Sequence, residues 1–308
     1  MALAIATNNS ALQAAAAASS VNRSIETSIE RLSTGKRINS ASDDAAGVSI
    51  ASRLSSEIRG VNQSIRNALD GQALLDTAEG AHKEIENVLQ RMREIAVQAG
   101  NGTNNTQDRK NLQAEMDAMV TEIDRISHAT TWAGSALLNG NAAGAVDTTA
   151  TFSLQVGSAT GTQNQISVSI GSMNAETLNL TENGTNDDSL VLVVADADIT
   201  ADDHTVNGGT TTATGNALEA ITLIDAAIKT VNTQRSTLGA TANRLNHTVN
   251  NLTNMSTNLS SAQGRIEDAD FAIETTNLAK NQILQQASTA MLAQANASQA
   301  NVLGLLRS

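Results

Sequence analysis

Residues able to carry out catalysis or bind a metal are few and scattered in this 308-residue chain. A zinc hydrolase helix would need His-Glu-x-x-His, a spacing that places both histidines on one helical face. That pattern is absent, and none of the histidines has the spacing of a metal site or of a Ser-His-Asp arrangement; they are His82, His128, His204 and His247. The chain also has no cysteine. We therefore predict no catalytic residue, no metal site, no cofactor and no enzymatic activity.

Acidic pairs and glycosylation sequons are the remaining patterns that could carry out chemistry or be modified. The pairs Asp43-Asp44, Asp187-Asp188 and Asp202-Asp203 are interpreted as helix caps or solvated loops. Asn-Gly-Thr sequons begin at Asn101 and Asn183, but such triplets are common by chance in a chain this rich in Asn and Thr. They do not decide whether the central segment carries sugar.

Composition limits both the partners and the architecture. The formal net charge of -12 excludes a broad surface for nucleic acid or anionic membrane, because such surfaces need clustered Lys and Arg. Aromatic residues make up 1% of the chain, so a core must be built from Ala, Leu, Ile and Val. Proline is absent, which favours very long helices. Residues 1–20 lack a basic stretch and resemble no cleavable signal, and no run of about 20 strongly apolar residues predicts membrane insertion.

Helical periodicity dominates the first half. We predict a first helix over Leu3–Ser33 that ends at Gly35, then a long helix that is capped within 39–43 by Asn39, Ser40, Ser42 and Asp43 and continues to about Ala99. Its near-heptad seam comprises Val61, Ile65, Ala68, Leu75, Ile85, Leu89, Met92, Ala96 and Ala99. After a break at 100–102, Thr106 is predicted to cap a shorter antiparallel helix with Leu112, Met116, Met119, Ile123 and Ile126 on one face.

The second half predicts a β-hairpin, loops and two further helices. Alternating apolar residues predict a hairpin over 151–170, and 171–215 is predicted as exposed loop with one short β-prone stretch, Leu190–Val194. The strongest seam then extends to about Ala262, with Arg235 as its one charge, and is interpreted as an internal core. It comprises Ile221, Ile224, Ile228, Val231, Leu238, Ala242, Leu245, Val249, Leu252 and Leu259. The final helix is predicted to begin after Gly264.

The two ends of the chain carry apolar stripes with little bulk. An isolated helix of this kind is marginal in water, so each end is expected to be disordered alone and to fold when its stripe is covered. We interpret the stripes as intermolecular and predict that they drive polymerisation. Their residues are Val21, Ile25, Ile29 and Leu32 at the N-terminal end, and Leu284, Met291, Val302 and Leu305 at the C-terminal end.

Several segments resemble bacterial flagellins. The stretch SIERLSTGKRINSASDDAAG at 28–47 is similar to their N-terminal signature, and further signatures follow in the same order: LQRMREIAVQ at 89–98, RIEDAD at 265–270, QILQQA at 282–287 and LAQAN at 292–296. The departures are a missing proline within 297–301, Trp132 where Phe is common, and a short variable centre. The resemblance implies a secreted, extracellular subunit of the bacterial flagellum that forms a helical homopolymer. It also implies flagellar type III export without cleavage and partners in an export chaperone, the filament cap and hook-junction proteins.

The expected fold class is mainly α: a long antiparallel helical coiled-coil rod with a small β-hairpin subdomain, whose terminal helices pair as a coiled coil on assembly. The predicted segments are 1–40 and 265–308 for an inner terminal-helix domain, 41–175 and 216–264 for a rod domain including the hairpin, and 176–215 for a variable exposed segment. A hook-filament junction protein is the alternative within the structural class. A secreted adhesin or receptor ligand is the alternative outside it, and that would need a compact domain in the centre.

One segment also resembles the surface by which a Toll-like receptor of animals recognises certain flagellins. The matching residues are Gln90, Arg91, Ile95, Gln98 and, on the neighbouring helix, Glu115. The competing interpretation is that Leu89, Met92 and Ile95 are core and that Arg91 and Gln98 form an ordinary solvated face. Ala118 and Met119 stand where strongly recognised relatives tend to have polar residues. Receptor recognition is therefore left open by the sequence.

Overall fold

The computed structural model describes residues 8–139, 149–180 and 213–305, with side chains for 217–298 in the last range. Its helices are α1 (Asn9–Thr34), α2 (Ala45–Ala99), α3 (Thr106–Ala129), α4 (Ala213–Glu267) and α5 (Phe271–Leu305). Its strands are β1 (Thr131–Trp132), β2 (Ser135–Ala136), β3 (Ala150–Gln155) and β4 (Gln165–Ile170). The predicted mainly helical class with a β-hairpin is confirmed. The chain divides into two compact units, one formed from 1–59 with 255–308 and the other from 60–254.

Local capping chemistry decides where the first two helices end and begin. As predicted, α1 ends at Gly35, which adopts the left-handed conformation (φ 70°) and donates its N–H to the Arg31 carbonyl at 2.9 Å. The predicted cap of α2 was wrong. The Asp44 carboxylate accepts the Gly47 N–H at 2.9 Å. The Asp43 carboxylate accepts the backbone N–H groups of Asn39 and Ser40. Asp43 therefore closes the loop before the helix, and Asp44 caps it.

Two other predicted helix ends differ from the structure. Asn105, not Thr106, caps α3, because Asn105 and Asp108 exchange side-chain and backbone hydrogen bonds as a capping box. Helix α4 continues through Gly264 to Glu267 and does not end near Ala262. A Cβ at position 264 would lie 2.7 Å from Oδ2 of Asp268, so this glycine provides space for a neighbouring carboxylate.

The core of the 60–254 unit is aliphatic, as the composition predicted. Its largest fully buried side chains are Leu75, Ile85, Leu89, Met92, Ile95, Met116, Ile123, Leu137, Leu138, Ile170, Met173 and Leu180. The prediction of an exposed loop from 171 onward was wrong for 171–180, because Met173 and Leu180 pack into this core. The predicted seam of α4 contributes Ile224, Val231, Leu238 and Leu245, all fully or almost fully buried. Arg235, the one charge in this seam, forms ion pairs with Glu79 and Glu86 of α2. The internal interpretation of the α4 seam is confirmed for these four residues.

The β-hairpin has the register expected from its alternating pattern. Phe152 pairs with Val168 and Leu154 pairs with Ile166, so the apolar side chains share one face that packs against the core. A second, very short hairpin, β1 with β2, was missed. Its turn residues Ala133 and Gly134 have φ of 48° and 85°, the left-handed geometry of a tight two-residue turn. The predicted stretch Leu190–Val194 and the pairs Asp187-Asp188 and Asp202-Asp203 lie outside the described residues.

Candidate assembly interface

Helices α1 and α5 pair in antiparallel fashion within the unit formed by the chain ends. Three polar contacts define the alignment: Asn8 donates to the Ala295 carbonyl at 3.2 Å, Gln285 donates to Oδ1 of Asn22 at 2.8 Å, and Nη1 of Arg31 lies 3.9 Å from Oε2 of Glu274. The two helices therefore run in opposite directions, so that later residues of α1 lie opposite earlier residues of α5. The Glu274 side chain is only 10% exposed, which makes this ion pair part of the packed interface.

The residues of α1 that face α5, here called the α1 seam, recur at alternating spacings of three and four. Its less exposed residues are Ala11, Ala14, Ala18, Val21, Ile25, Ser28 and Leu32. Three residues of the predicted N-terminal stripe, Val21, Ile25 and Leu32, thus lie half-buried in this pair. The fourth, Ile29, is 52% exposed and faces away from the seam.

The corresponding face of α5, the α5 seam, mixes polar and apolar residues. Its less exposed members are Glu274, Leu278, Asn281, Ser288, Leu292 and Ala295, and the exposed Gln285 completes the alternating spacings of four and three through its bond to Asn22. Leu284 and Met291 of the predicted C-terminal stripe are exposed to 41% and 65% and do not belong to this seam. The side chains of the other two residues, Val302 and Leu305, lie beyond the range 217–298 for which side chains are described.

The solvent-exposed side of α5 carries five further bulky apolar side chains. We call this set the α5 outer face, and it comprises Phe271, Ile273, Ile283, Leu284 and Met291, each between 41% and 68% exposed. Sequence reasoning missed the role of Glu274 and Asn281, although their regular spacing with Leu278 was visible in the sequence. Polar residues are uncommon at the seam positions of a helix pair, so the spacing of the apolar residues alone does not reveal this face.

A short ribbon joins the segments that connect to the two terminal helices. Lys36 and Asp268 form an antiparallel bridge, Arg37 donates its backbone N–H to Glu267 at 2.6 Å, and Ala269 donates to Gly35 at 2.9 Å. The Lys36 ammonium also lies 2.9 Å from the Glu267 carboxylate. Backbone and side-chain bonds thus hold the end of α1 beside the start of α5.

The segment that resembles a receptor-binding surface lies on α2 and α3 in the other unit. Gln90, Arg91 and Gln98 are exposed, and Arg91 binds Glu115 of α3 at 2.9 Å. Hydrogen bonding to Glu115, with a second bond to Glu94, raises the pKa of Arg91. Ile95 is fully buried, so it supports this surface from beneath and cannot contact a partner directly.

The histidines occupy unrelated environments. Nδ1 of His82 lies 2.6 Å from the Ala78 carbonyl in a fully buried position, Nε2 has no partner, and burial lowers the pKa of this imidazole. His128 contacts Asn139, His247 is exposed, and His204 lies outside the described residues. Within the part of the chain that the structure describes, no cluster of three His, Cys, Asp or Glu side chains could hold a metal ion. Nor is any helix in that part long and apolar enough to cross a membrane.

Comparisons with known proteins agree with the architecture of the chain ends. Residues 5–143 match the family described as bacterial flagellin N-terminal helical region, and residues 221–306 match the bacterial flagellin C-terminal helical region. A flagellin of Bacillus subtilis (strain 168) is 41% identical over 94% of this chain and 95% of its own length. The chain belongs to the bacterial flagellins. This flagellin is also 37% identical to the flagellar filament 33 kDa core protein of Treponema phagedenis, over 97% of this chain and 98% of that one.

Among solved structures, this flagellin is similar to Bacillus cereus flagellin, with 28% identity and a TM-score of 0.43 over 64% of this chain and 94% of that one. Family membership makes the protein a structural subunit that self-assembles into the extracellular filament of the bacterial flagellum, which serves swimming motility. The alternative class of adhesin or receptor ligand is not supported by these relationships.

Proposed function

We propose that this flagellin polymerises through the apolar side chains that its terminal helices leave exposed. The observation that carries the proposal is the α5 outer face, where Leu284 and Met291 project away from α1. Ile29 of α1 is exposed in the same way. Burial of exposed apolar surface favours association, by roughly 25 cal/mol for each Å² that is removed from water.

The mixed character of the α5 seam supports this assignment. If α1 were the intended cover for the bulky residues of α5, the helix would turn that face toward α1, because burial of Leu and Met is strongly favourable. Instead the less exposed face contains Asn281 and Ser288 together with Leu278 and Leu292, and it leaves Leu284 and Met291 exposed. The occupant of the outer face is therefore a second copy of this chain. In this proposal 1–40 and 265–308 form the inner terminal-helix domain, which includes Val302 and Leu305.

The experiment is seeded polymerisation of the full chain followed by electron microscopy. Leu284→Asp and Met291→Asp are expected to abolish filaments, because each would place an unpaired charge in the interface. Gln286→Asp is the matched control, since it adds the same charge at an exposed polar position of α5. The proposal fails if the Leu284 and Met291 variants form filaments as readily as the control.

We propose that the protein reaches the cell exterior through the flagellar type III apparatus, with an export chaperone, filament cap and hook-junction proteins as partners. Family membership supports this route, and so does the alanine-rich start of the α1 seam, which keeps that end easy to unfold for passage. The role is mechanical and not enzymatic. Accumulation of the chain in culture medium from cells with a disabled flagellar exporter would contradict the proposed route.

We propose recognition by an animal Toll-like receptor as a second function, at the surface formed by Gln90, Arg91, Gln98 and Glu115. The Arg91–Glu115 ion pair supports it, since the pair orients a guanidinium at the junction of two helices. Arg91→Ala is expected to weaken receptor activation in a cell reporter assay. Arg93→Ala is the matched control, because Arg93 is also exposed on α2 but pairs with Asp225 of α4. Equal activity of the two variants would remove Arg91 from the recognition surface.

A further inference from the structure

We infer that Met291 is an oxidation site, and that its conversion to the sulfoxide prevents a free subunit from adding to a filament. The chain has no cysteine, so its seven methionines are the side chains at which sulfur can be oxidised and reduced again. An oxidant in water reaches exposed sulfur first. The position of each methionine in the fold therefore decides which of them reacts.

The methionines are distributed between the core and the surface. Three of them are buried in the core of the 60–254 unit, namely Met92, Met116 and Met173. Met119 is partly buried against the same core, and Met255 is 39% exposed. Met291 is 65% exposed even where α5 packs on α1, and opening of that helix pair only adds to its exposure. Among the methionines that the structure describes, Met291 is thus the most accessible to an oxidant.

The reaction transfers one oxygen atom to Sδ of Met291. With hydrogen peroxide as the oxidant, the sulfur attacks one peroxide oxygen, the O–O bond breaks as the S–O bond forms, and the other oxygen leaves as water after a proton shift. Sulfur loses two electrons and the peroxide gains two. The product is a polar sulfoxide in place of an apolar thioether.

The sulfoxide lies within the α5 outer face. Leu284 and Met291 are seven residues apart in one helix, so they share the same side of it. Under the proposed function, on which this inference rests, a second copy of the chain covers that side. The sulfoxide oxygen would lose its water in an apolar contact, and burial of an unpaired polar group is unfavourable. Oxidised subunits therefore remain unassembled, whereas the same contact shields Met291 in a subunit that has already joined a filament.

The test treats the full-length chain with limiting hydrogen peroxide before assembly, removes the peroxide with catalase and then adds filament seeds. Peptide mass spectrometry measures oxidation at each methionine, and light scattering measures polymerisation. We expect Met291 to be oxidised before the three core methionines. The critical concentration should rise at least about tenfold, as expected for one buried unpaired polar group. Reduction by a mixture of two methionine sulfoxide reductases, one for each sulfoxide epimer, should restore polymerisation.

Two conservative variants assign the effect to a single sulfur. Met291→Leu keeps an apolar side chain of similar volume, so it should polymerise equally well with and without peroxide treatment. Met255→Leu is the matched control and should remain as sensitive as the original chain, because it retains Met291. Equal loss of polymerisation in Met291→Leu would overturn the inference. Protection of Met291 from peroxide in the free chain would also overturn it, as would normal polymerisation of chains that carry the sulfoxide at position 291.

Met291→Asp distinguishes failure of this inference from failure of the proposed function. If Met291→Asp forms filaments normally, the α5 outer face is not the assembly interface, and both proposals fall. If Met291→Asp forms no filaments while the sulfoxide at the same position is tolerated, the interface stands and the oxidation inference alone falls.

Discussion

Gly71 of α2 lies directly against Leu154 of β3: a Cβ at position 71 would be 2.3 Å from Cδ1 of that leucine. The absence of a side chain on the helix therefore allows the hairpin to pack closely. Two other helical glycines, Gly80 and Gly239, have nothing within 4 Å of the same ideal position. Gly71 is therefore required by close packing, whereas Gly80 in the same helix and Gly239 in α4 are not.

The first prediction compares Gly71→Ala with Gly80→Ala by urea unfolding, monitored through Trp132. Alanine at position 80 should stabilise by about 0.5–1 kcal/mol, because alanine restricts the unfolded chain and favours helix. At position 71 the same gain is opposed by overpacking, which typically costs about 1–3 kcal/mol. Gly71→Ala should therefore be the less stable variant. In a Leu154→Ala background the added methyl should become stabilising, and a persistent penalty there would show that the clash is not with Leu154.

The second prediction separates core from outer face. Leu245 is fully buried, so Leu245→Asp should lower the melting temperature of the soluble chain severely, since an unpaired buried charge costs several kcal/mol. Leu284→Asp should leave that melting temperature almost unchanged, because Leu284 is exposed in the single chain. Calorimetry of both variants is the measurement. A similar loss in both would mean that Leu284 belongs to the core of the subunit.

The third prediction concerns the order of the chain ends. The α1 seam is mostly alanine toward its start and half of the less exposed α5 seam residues are polar, so the isolated pair should open often. Residues before about Ser40 and after about Arg265 should be cut by protease in the soluble chain and protected in filaments. Mass spectrometry of the fragments locates the cuts. Equal protection in the two states would contradict the coupling of folding to assembly.

The fourth prediction concerns pH and His82. Burial lowers the pKa of this imidazole in the folded chain, so the unfolded chain binds the additional proton first as the pH falls. Folding stability should therefore decrease as the pH falls below the unfolded value of about 6.5, by at most about 1.4 kcal/mol per pH unit. Urea unfolding at pH 7.5 and 5.5 measures this loss. It should shrink in His82→Gln but persist in His247→Gln, whose histidine is exposed.

The fifth prediction concerns salt. Each subunit has a formal net charge of -12, and side-by-side packing brings like charges within distances comparable with the Debye length of about 8 Å at physiological ionic strength. The critical concentration for polymerisation should fall as salt rises. It should fall further in sulfate than in chloride at equal ionic strength, because sulfate also strengthens apolar burial. Light scattering of seeded subunits provides the values, and a flat or rising curve would point to intersubunit salt bridges as the dominant contacts.

The sequence by itself determined the helical class, the hairpin, the aliphatic core and the family. These features depend on local properties of the chain. They are the 3.6-residue period of apolar residues in helices and the two-residue period in strands, the lack of proline, the left-handed preference of Gly35, and short motifs that are recognisable in the sequence itself. Seams rich in Leu and Ile, such as the one around Leu245, were predictable because their large apolar side chains lie on one face of the helix. Burial of that face is much more favourable than burial of any other.

Tertiary structure decided which face of a weakly patterned helix turns inward. The face with Glu274 and Asn281 meets α1, and Leu284 remains outside, because the partner helix contributes contacts that no single-helix pattern contains. The same reason explains why Ile95 is core beneath an exposed surface and why His82 is buried without a partner for Nε2. Burial of these residues depends on residues far away in sequence, and only the folded chain brings them together.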